Sequence, residues 1–275
     1  MPVRQLGNSD RHAVERILNA DPIAAAQVVE RINARGLTWW RSQGRLYGYG
    51  DDEIESLCWF GVHIIPVLAS PPALSAFAEL LSGQPRTCAS VVGRSSLVLP
   101  LWQQLTAAWG PAREIREDQP LLVAADPPPI PVDPAVRVAH RTEVDALFPA
   151  AVAMYTEEIG SSPIGSDGGA GYRARLADLV RGRRAYARIE DGEVIFKAEL
   201  AIVTPDTAQV QGVWVAPAWR GRGIAAPAMA AVVADALERV APTVSLYVNA
   251  HNTAARRTYQ RCGFRQTGTF ATVLF

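Results

Sequence analysis

The sequence predicts an α/β protein made of two halves, each a mixed sheet covered by helices. Three observations carry that prediction. Stretches of period-two alternation and stretches of helical periodicity follow one another along the whole chain of 275 residues, a length that itself suits two domains. Asp126-Pro-Pro-Pro-Ile-Pro-Val-Asp-Pro134 interrupts them with a segment poor in backbone donors that favours extended geometry, a linker between residues 1–125 and 135–275. The order of elements is nearly the same on both sides of it, which implies an internal structural duplication with almost no sequence identity.

The elements follow from local signals. Asp10 can cap a helix through Leu18, and Asp21-Pro22 opens a second from Ile23 to Arg35, stopped by Gly36. Short strands are expected at Arg45–Tyr49, Ser56–Phe60 and Val62–Leu68, with an uncertain first strand at Val3–Leu6. Ser70-Pro71-Pro72 starts a helix to about Leu81. A strand at Arg86–Val92 precedes a helix from Ser95 or Ser96 to Trp109, ended by Gly110-Pro111. Two strand-like pieces, Arg113–Arg116 and Leu121–Ala124, close the first half.

The second half opens with a strand at Val136–Arg141 and a helix over Glu143–Glu158 that Pro149 is expected to interrupt. A Gly-, Ser- and Asp-rich loop, residues 160–171, leads to a helix at Tyr172–Val180. Strands at Arg184–Ile189 and Glu193–Val203 flank Asp191-Gly192, a strong hairpin signal. Further elements are a strand at Ala208–Val215, a helix at Ile224–Val240, a strand at Thr243–Asn249, a helix at Asn252–Arg261, and two strands or one bent strand over Phe264–Phe275.

Composition excludes several classes. Lys and Arg together number 27, as do Asp and Glu, so no net field favours nucleic acid or an anionic membrane, and no zinc-finger spacing or basic run appears. The start carries no apolar run of the signal-peptide kind, and no stretch approaches the roughly 18 continuous apolar residues of a membrane span. Cys58, Cys88 and Cys262 are far apart, with no CxxC pair, so they read as reduced, buried thiols in a cytoplasmic protein without a metal site. Oligomeric state is not legible.

Gln211-Gly-Val-Trp-Val-Ala-Pro-Ala-Trp-Arg-Gly-Arg-Gly-Ile-Ala225 is the chemically informative stretch. A strand breaks at Pro217 and passes through a loop of Arg220, Gly221, Arg222 and Gly223 into a helix. Glycines there let a ligand approach the backbone and adopt positive φ without strain. The helix that follows offers unpaired N–H groups and the positive end of its dipole, which suits a phosphate or pyrophosphate. A dinucleotide-binding reading of Gly221-Arg-Gly223-Ile-Ala-Ala226 fails because Pro217 and Arg220 intervene after the strand and no acid ends the next one. A nucleotide P-loop fails because no Gly-Lys-Ser/Thr follows.

Residues 136–275 resemble a Gcn5-related N-acetyltransferase (GNAT). Val213-Trp-Val215, Pro217 and Arg220-Gly-Arg-Gly-Ile-Ala225 match the family's cofactor motif. Asn249, Asn252-Thr-Ala-Ala255-Arg-Arg-Thr-Tyr259 and Gly263-Phe264 match a second motif, in the right order. The whole chain is similar, more loosely, to two-part actinobacterial acetyltransferases with an uncharacterised N-terminal domain. The first half, with Leu68-Ala-Ser-Pro-Pro-Ala-Leu74 in place of the glycine loop, reads as a degenerate GNAT-like domain that does not bind the same ligand.

The resemblance implies tandem GNAT-like domains, an acyl-CoA N-acyltransferase fold in the C-terminal half, and acetyl-CoA as donor to an amine acceptor, small molecule, peptide or protein. The backbone of Val213, Trp214 and Val215 would pair with the pantetheine, so that strand must splay from its neighbour. Arg220, Gly221, Arg222, Gly223, Ile224 and Ala225 would hold the pyrophosphate. Asn249 and Asn252 would lie along the CoA arm, and Tyr259 would protonate the departing thiolate. Where the family often carries a glutamate base, this chain has Gln209 and Gln211, which cannot take a proton. Glu199, on the polar face of an otherwise apolar strand with Lys197, is the candidate base, or else a structural partner of Lys197 or Arg188. Glu157, Glu158 and His251 are further options. An acetyl-CoA sensor without transfer is the competing function. The N-terminal half would contribute to an acceptor cleft or form a partner surface, and Trp39, Trp40, Trp59, Trp102 and Trp109 there read as core packing.

Overall fold

A computed structural model describes residues 3–37, 44–51 and 53–275. The chain folds as two compact units. Met1–Leu121 make up most of the first, joined by Tyr247–His251 and Gln266–Phe275, and Leu122–Leu246 with Asn252–Arg265 make up the second.

In the first unit the strands are β1 (Val3–Gln5), β2 (Gly44–Tyr49), β3 (Ser56–Gly61), β4 (His63–Val67), β5 (Ser90–Arg94), β6 (Glu114–Ala124) and β12 (Arg265–Leu274), in the spatial order β1-β2-β3-β4-β5-β12-β6. The strand from the far end of the chain therefore lies between two strands of the first half. It pairs antiparallel with β5 from Phe270↔Arg94 to Leu274↔Ser90. Helices α1 (Arg11–Ala20) and α2 (Ala26–Arg35) contribute Val14, Ile17, Leu18, Val28 and Ile32 to one core. Helices α3 (Pro71–Ser82) and α4 (Ser95–Trp109) contribute Leu74, Phe77, Leu101 and Leu105 to another. Trp59 and Trp102 are buried in these cores and Trp109 packs beside Phe275, as core packing requires, whereas Trp39 and Trp40 lie outside the described residues.

The second unit has β7 (Arg137–Val138), β8 (Ala185–Glu190), β9 (Glu193–Val203), β10 (Ala208–Val215) and β11 (Val244–Tyr247), ordered β11-β10-β9-β8-β7. β8 and β9 form the hairpin expected at Asp191-Gly192, whose φ values of 49° and 82° are those of a turn matched to strand twist. Helices α5 (Val144–Ile159) and α6 (Ala170–Arg181) pack Leu147, Phe148, Ala151, Leu176 and Leu179 with Ala185 and Ala187 of β8. Helix α7 (Ala225–Arg239) buries Ala226, Ala228, Met229, Val232 and Val233, and α8 (Thr253–Arg261) follows.

Two local expectations are corrected. Helix α5 runs through Pro149 unbroken. That proline is exposed, and Phe148 and Ala150 on either side are buried, so anchoring outweighs one lost backbone bond. β6 is one strand rather than two, continuing through Pro120. β12 is likewise a single strand. Cys58, Cys88 and Cys262 are free and buried, and burial pushes the Cys262 thiol up to about 12. Among the described residues no helix is long and apolar enough to cross a membrane.

Candidate active site

The site grows from β10. It pairs in parallel with β11 at Ala208↔Val244 and Gln209↔Ser245, before the stretch Val213–Val215 is reached. On its other edge it pairs antiparallel with β9, from Ala208↔Val203 to Gln211↔Glu199, then skips to Trp214↔Lys197. Gly212 and Val213 are thus passed over, a bulge, and Gly212 has φ of 60°. Glycine is needed there twice: the φ is left-handed, and a Cβ would stand 3.1 Å from both Lys197 Nζ and Met154 Cε.

Past the bulge the chain turns at Pro217–Trp219 and enters the glycine loop. Gly221 and Gly223 have φ of 74° and 78°, with nothing among the described residues within 4 Å of an added Cβ, so these glycines serve the backbone conformation rather than a close side-chain approach. Helix α7 begins at Ala225 after Ile224, which supplies no side-chain cap. Its first N–H groups therefore remain available to an anion. Cys262 Sγ donates to Ala226 O at 3.3 Å behind this turn.

Arg220 folds back on the strand. Its Nε donates to Val215 O at 3.0 Å, and its guanidinium reaches Glu157 Oε2 at 2.7 Å. Trp214 Nε1 donates to Glu157 Oε1 at 3.2 Å. Arg222 instead lies over the Trp219 ring, 5.1 Å from its centroid.

On the face of β9 toward α5 and α6, Glu199 is 1% exposed. Its Oε1 accepts from Lys197 Nζ at 2.8 Å and its Oε2 from Arg175 at 3.0 Å. Lys197 Nζ also donates to Gly212 O at 2.9 Å. Burial pushes the Glu199 carboxyl upward, but the two cations outweigh it and the pKa lies below the ordinary value. Gln211 Nε2 donates to Gln209 Oε1 at 3.3 Å, and among the described residues Gln209 Nε2 is buried without a partner.

Helix α8 starts at Asn252, whose side-chain oxygen accepts from Ala255 N at 3.1 Å. Tyr259 is buried on the same helix, its ring 5.8 Å from Phe264. Burial first, and the Glu158 charge second, push its hydroxyl above the ordinary phenol value.

The acetyltransferase (GNAT) family model matches residues 149–264, a span that contains every one of these features except the very start of α5. Residues 149–264 form a GNAT-family acetyltransferase domain. The preceding residues 44–147 match a domain of unknown function, DUF4081. No curated protein matches the chain in sequence. Solved structures resemble the full length. A Drosophila protein has a TM-score of 0.68 at 14% identity, covering 100% of this chain and 98% of its own. A GCN5-related N-acetyltransferase from Sphaerobacter thermophilus has 0.62 at 17%, covering 99% and 95%. A tandem GNAT protein from the clavulanic acid biosynthesis pathway has 0.51 at 12%, covering 99% and 98%. At such identities the likeness is one of fold, and it bears out the tandem arrangement read from the repeated order of elements.

Within the GNAT domain the structure brings Val213, Trp214, Val215 and Arg220 to Ala225 into one continuous strand, loop and helix start, and sets Glu199 beside the Gly212 bulge. Asn249 is counted with the first unit, where its Oδ1 accepts from Gln119 Nε2 at 2.8 Å. Sequence reasoning missed Gly212, Arg175 and the Glu157–Arg220 pair. A glycine inside a strand pattern was the available signal for the bulge. For Arg175, on a different element 24 residues from Glu199, no spacing rule would have found the pairing.

Proposed function

We propose that the GNAT domain transfers an acetyl group from acetyl-CoA to an amine by direct attack in a ternary complex. The observation that carries this reading is the parting of β10 from β11 after Gln209, leaving the Val213–Val215 edge open directly before the glycine loop and the uncapped start of α7. An extended pantetheine fits such an edge as an added strand, and the pyrophosphate fits the loop, with N–H groups from Gly221 to Ala225 and charge from Arg220 and Arg222. Asn252 keeps its amide N–H groups for the CoA arm, since its oxygen serves the helix cap.

In the reaction the acceptor nitrogen forms the C–N bond while the carbonyl π pair moves onto oxygen. That pair returns as the C–S bond breaks, and the sulfur leaves as thiolate. Tyr259, kept protonated by burial, gives its proton to the sulfur and is reprotonated by the one the nitrogen loses through water. The balance is amine plus acetyl-CoA giving amide plus free CoA thiol. Glu199 suits the role of counter-ion to Lys197 better than that of base, since both its oxygens are held by cations and its pKa is lowered.

That same engagement, with Gln209 and Gln211 on the adjoining strand, favours a second reading, an acetyl-CoA sensor that does not transfer. Thiol release under saturating acetyl-CoA with a broad panel of amines separates the two. Transfer predicts release with at least one amine and its loss in Tyr259→Phe; tight acetyl-CoA binding with no release for any amine would establish the sensor.

A further inference from the structure

The donor's orientation fixes where the acceptor must stand. A pyrophosphate on the glycine loop and a pantetheine running back along Val215 to Val213 put the thioester at the Gly212 bulge. Three elements meet there. Helix α5 brings Met154 Cε and β9 brings Lys197 Nζ, each 3.1 Å from where a Gly212 Cβ would stand, and Glu199 Cδ is at 3.3 Å. Helix α6 joins them through Arg175, whose Nη1 donates to Glu199 Oε2 at 3.0 Å.

The three charged groups are not equally buried. The Lys197 and Glu199 side chains are 2% and 1% exposed, whereas that of Arg175 is 44% exposed. A guanidinium carries five N–H donors in a planar fork. Among the described residues Arg175 makes one hydrogen bond, from Nη1 to Glu199, which leaves the donors on Nε and Nη2 for another group. Glu199 holds the fork in place, because its other oxygen accepts from Lys197 at 2.8 Å. Two cations and one carboxylate leave one net positive charge beside the bulge. Gln209 and Gln211 on the adjoining strand are neutral, and Glu157 of α5 is engaged by Arg220 and Trp214.

Aromatic surface borders the same group. Tyr172 precedes Arg175 by three residues on α6, and Glu199, Arg175 and Tyr155 all act electrostatically on its hydroxyl. Half-buried Tyr155 of α5 stands edge-on to it, ring centroids 5.4 Å apart. The Tyr172 hydroxyl donates to Ala151 O at 3.1 Å. A donor fork with net positive charge suits a carboxylate and opposes a second ammonium. It also favours the neutral form of a nearby amine, which is the form that attacks.

We propose that Arg175 is a specificity-determining residue that receives a carboxylate of the acceptor, so that the acceptor is an amine carrying a carboxylate, as a free amino acid does. This rests on the acetyl-transfer reading of the same site and deepens it by naming the chemical class of the acceptor.

Thiol release is measured on the full-length protein under saturating acetyl-CoA, with amines offered in matched sets. The sets are phenylalanine, its amide and phenethylamine; leucine, its amide and isopentylamine; and β-alanine and γ-aminobutyrate, each with its amide. In at least one set the acid is expected to exceed its uncharged counterparts in kcat/KM by about 30-fold. Arg175→Gln is expected to raise KM for that acid by about 30-fold while kcat stays within about threefold, and Arg175→Lys, which keeps the charge but not the fork, to recover only part of the loss. Lys197 still pairs with Glu199 in both variants, and thermal unfolding confirms that they fold. Equal or better turnover of the amides and simple amines, or an acid preference that survives Arg175→Gln in the folded protein, overturns the assignment. Acetyl-CoA binding with no thiol release for any amine of any set overturns the transfer reading itself, and the assignment with it.

Discussion

Arg220 and Glu157 form a two-pronged ion pair, with guanidinium to carboxylate distances of 3.0 and 2.7 Å, across the edge that the donor would occupy. The same guanidinium holds Val215 O at 3.0 Å. A carboxylate and a pyrophosphate thus compete for one cation. Both partners are about half exposed, which limits the pair to about 0–1 kcal/mol. Glu157→Gln is expected to tighten CoA binding by no more than about fivefold, read by calorimetry at low salt, and weaker binding would show that Glu157 supports the bound state.

Gly221 and Gly223 occupy left-handed backbone with room for a side chain, so replacing them tests conformation rather than sterics. Gly223→Ala is expected to cost about 1–2 kcal/mol in the loop conformation and to weaken CoA binding by about tenfold. Thermal unfolding and CoA titration, run together, show whether the loss falls on stability, on binding or on both.

Removing one member of a buried ion pair leaves the other uncompensated. Glu199→Gln is therefore expected to destabilise the fold by about 3–5 kcal/mol, measured by denaturant unfolding. A loss of activity with no loss of stability would restore Glu199 to the role of base.

The pH dependence has a definite sign. Glu199 has a folded pKa below its unfolded value of about 4.3, so its contribution is complete above that value and disappears as pH falls through the lower folded one. The acid limb of wild-type stability is expected to be steeper than that of Glu199→Gln, as read from unfolding midpoints between about pH 2 and 5.

Tyr259→Phe keeps the buried ring against Phe264 and removes only the hydroxyl. Stability is expected to change by less than about 1 kcal/mol, while thiol release falls by about 10²-fold. Because burial raises the hydroxyl pKa, the wild-type rate is expected to show no loss from tyrosine ionisation up to about pH 10.

Much of this protein is decided within short stretches of chain. The Asp191-Gly192 turn, the Ser70 cap followed by prolines, the glycine loop and the Asn252 cap each depend on the conformational preference of a few neighbouring residues, and those preferences act before any tertiary contact forms. So the α/β class, the repeated order of elements and the acetyltransferase motif are properties of the sequence by itself. Tertiary structure alone decided three other things. β12 enters the sheet of the first unit because strand pairing is satisfied by backbone groups that every residue carries, so sequence spacing does not name the partner. Pro149 stays within a helix because buried neighbours on both sides outweigh one missing bond. Glu199 proves to be an ion-pair partner because Arg175 and the Gly212 bulge, distant in sequence, arrive at the same strand face, and the charge state of a buried carboxylate is set by what surrounds it.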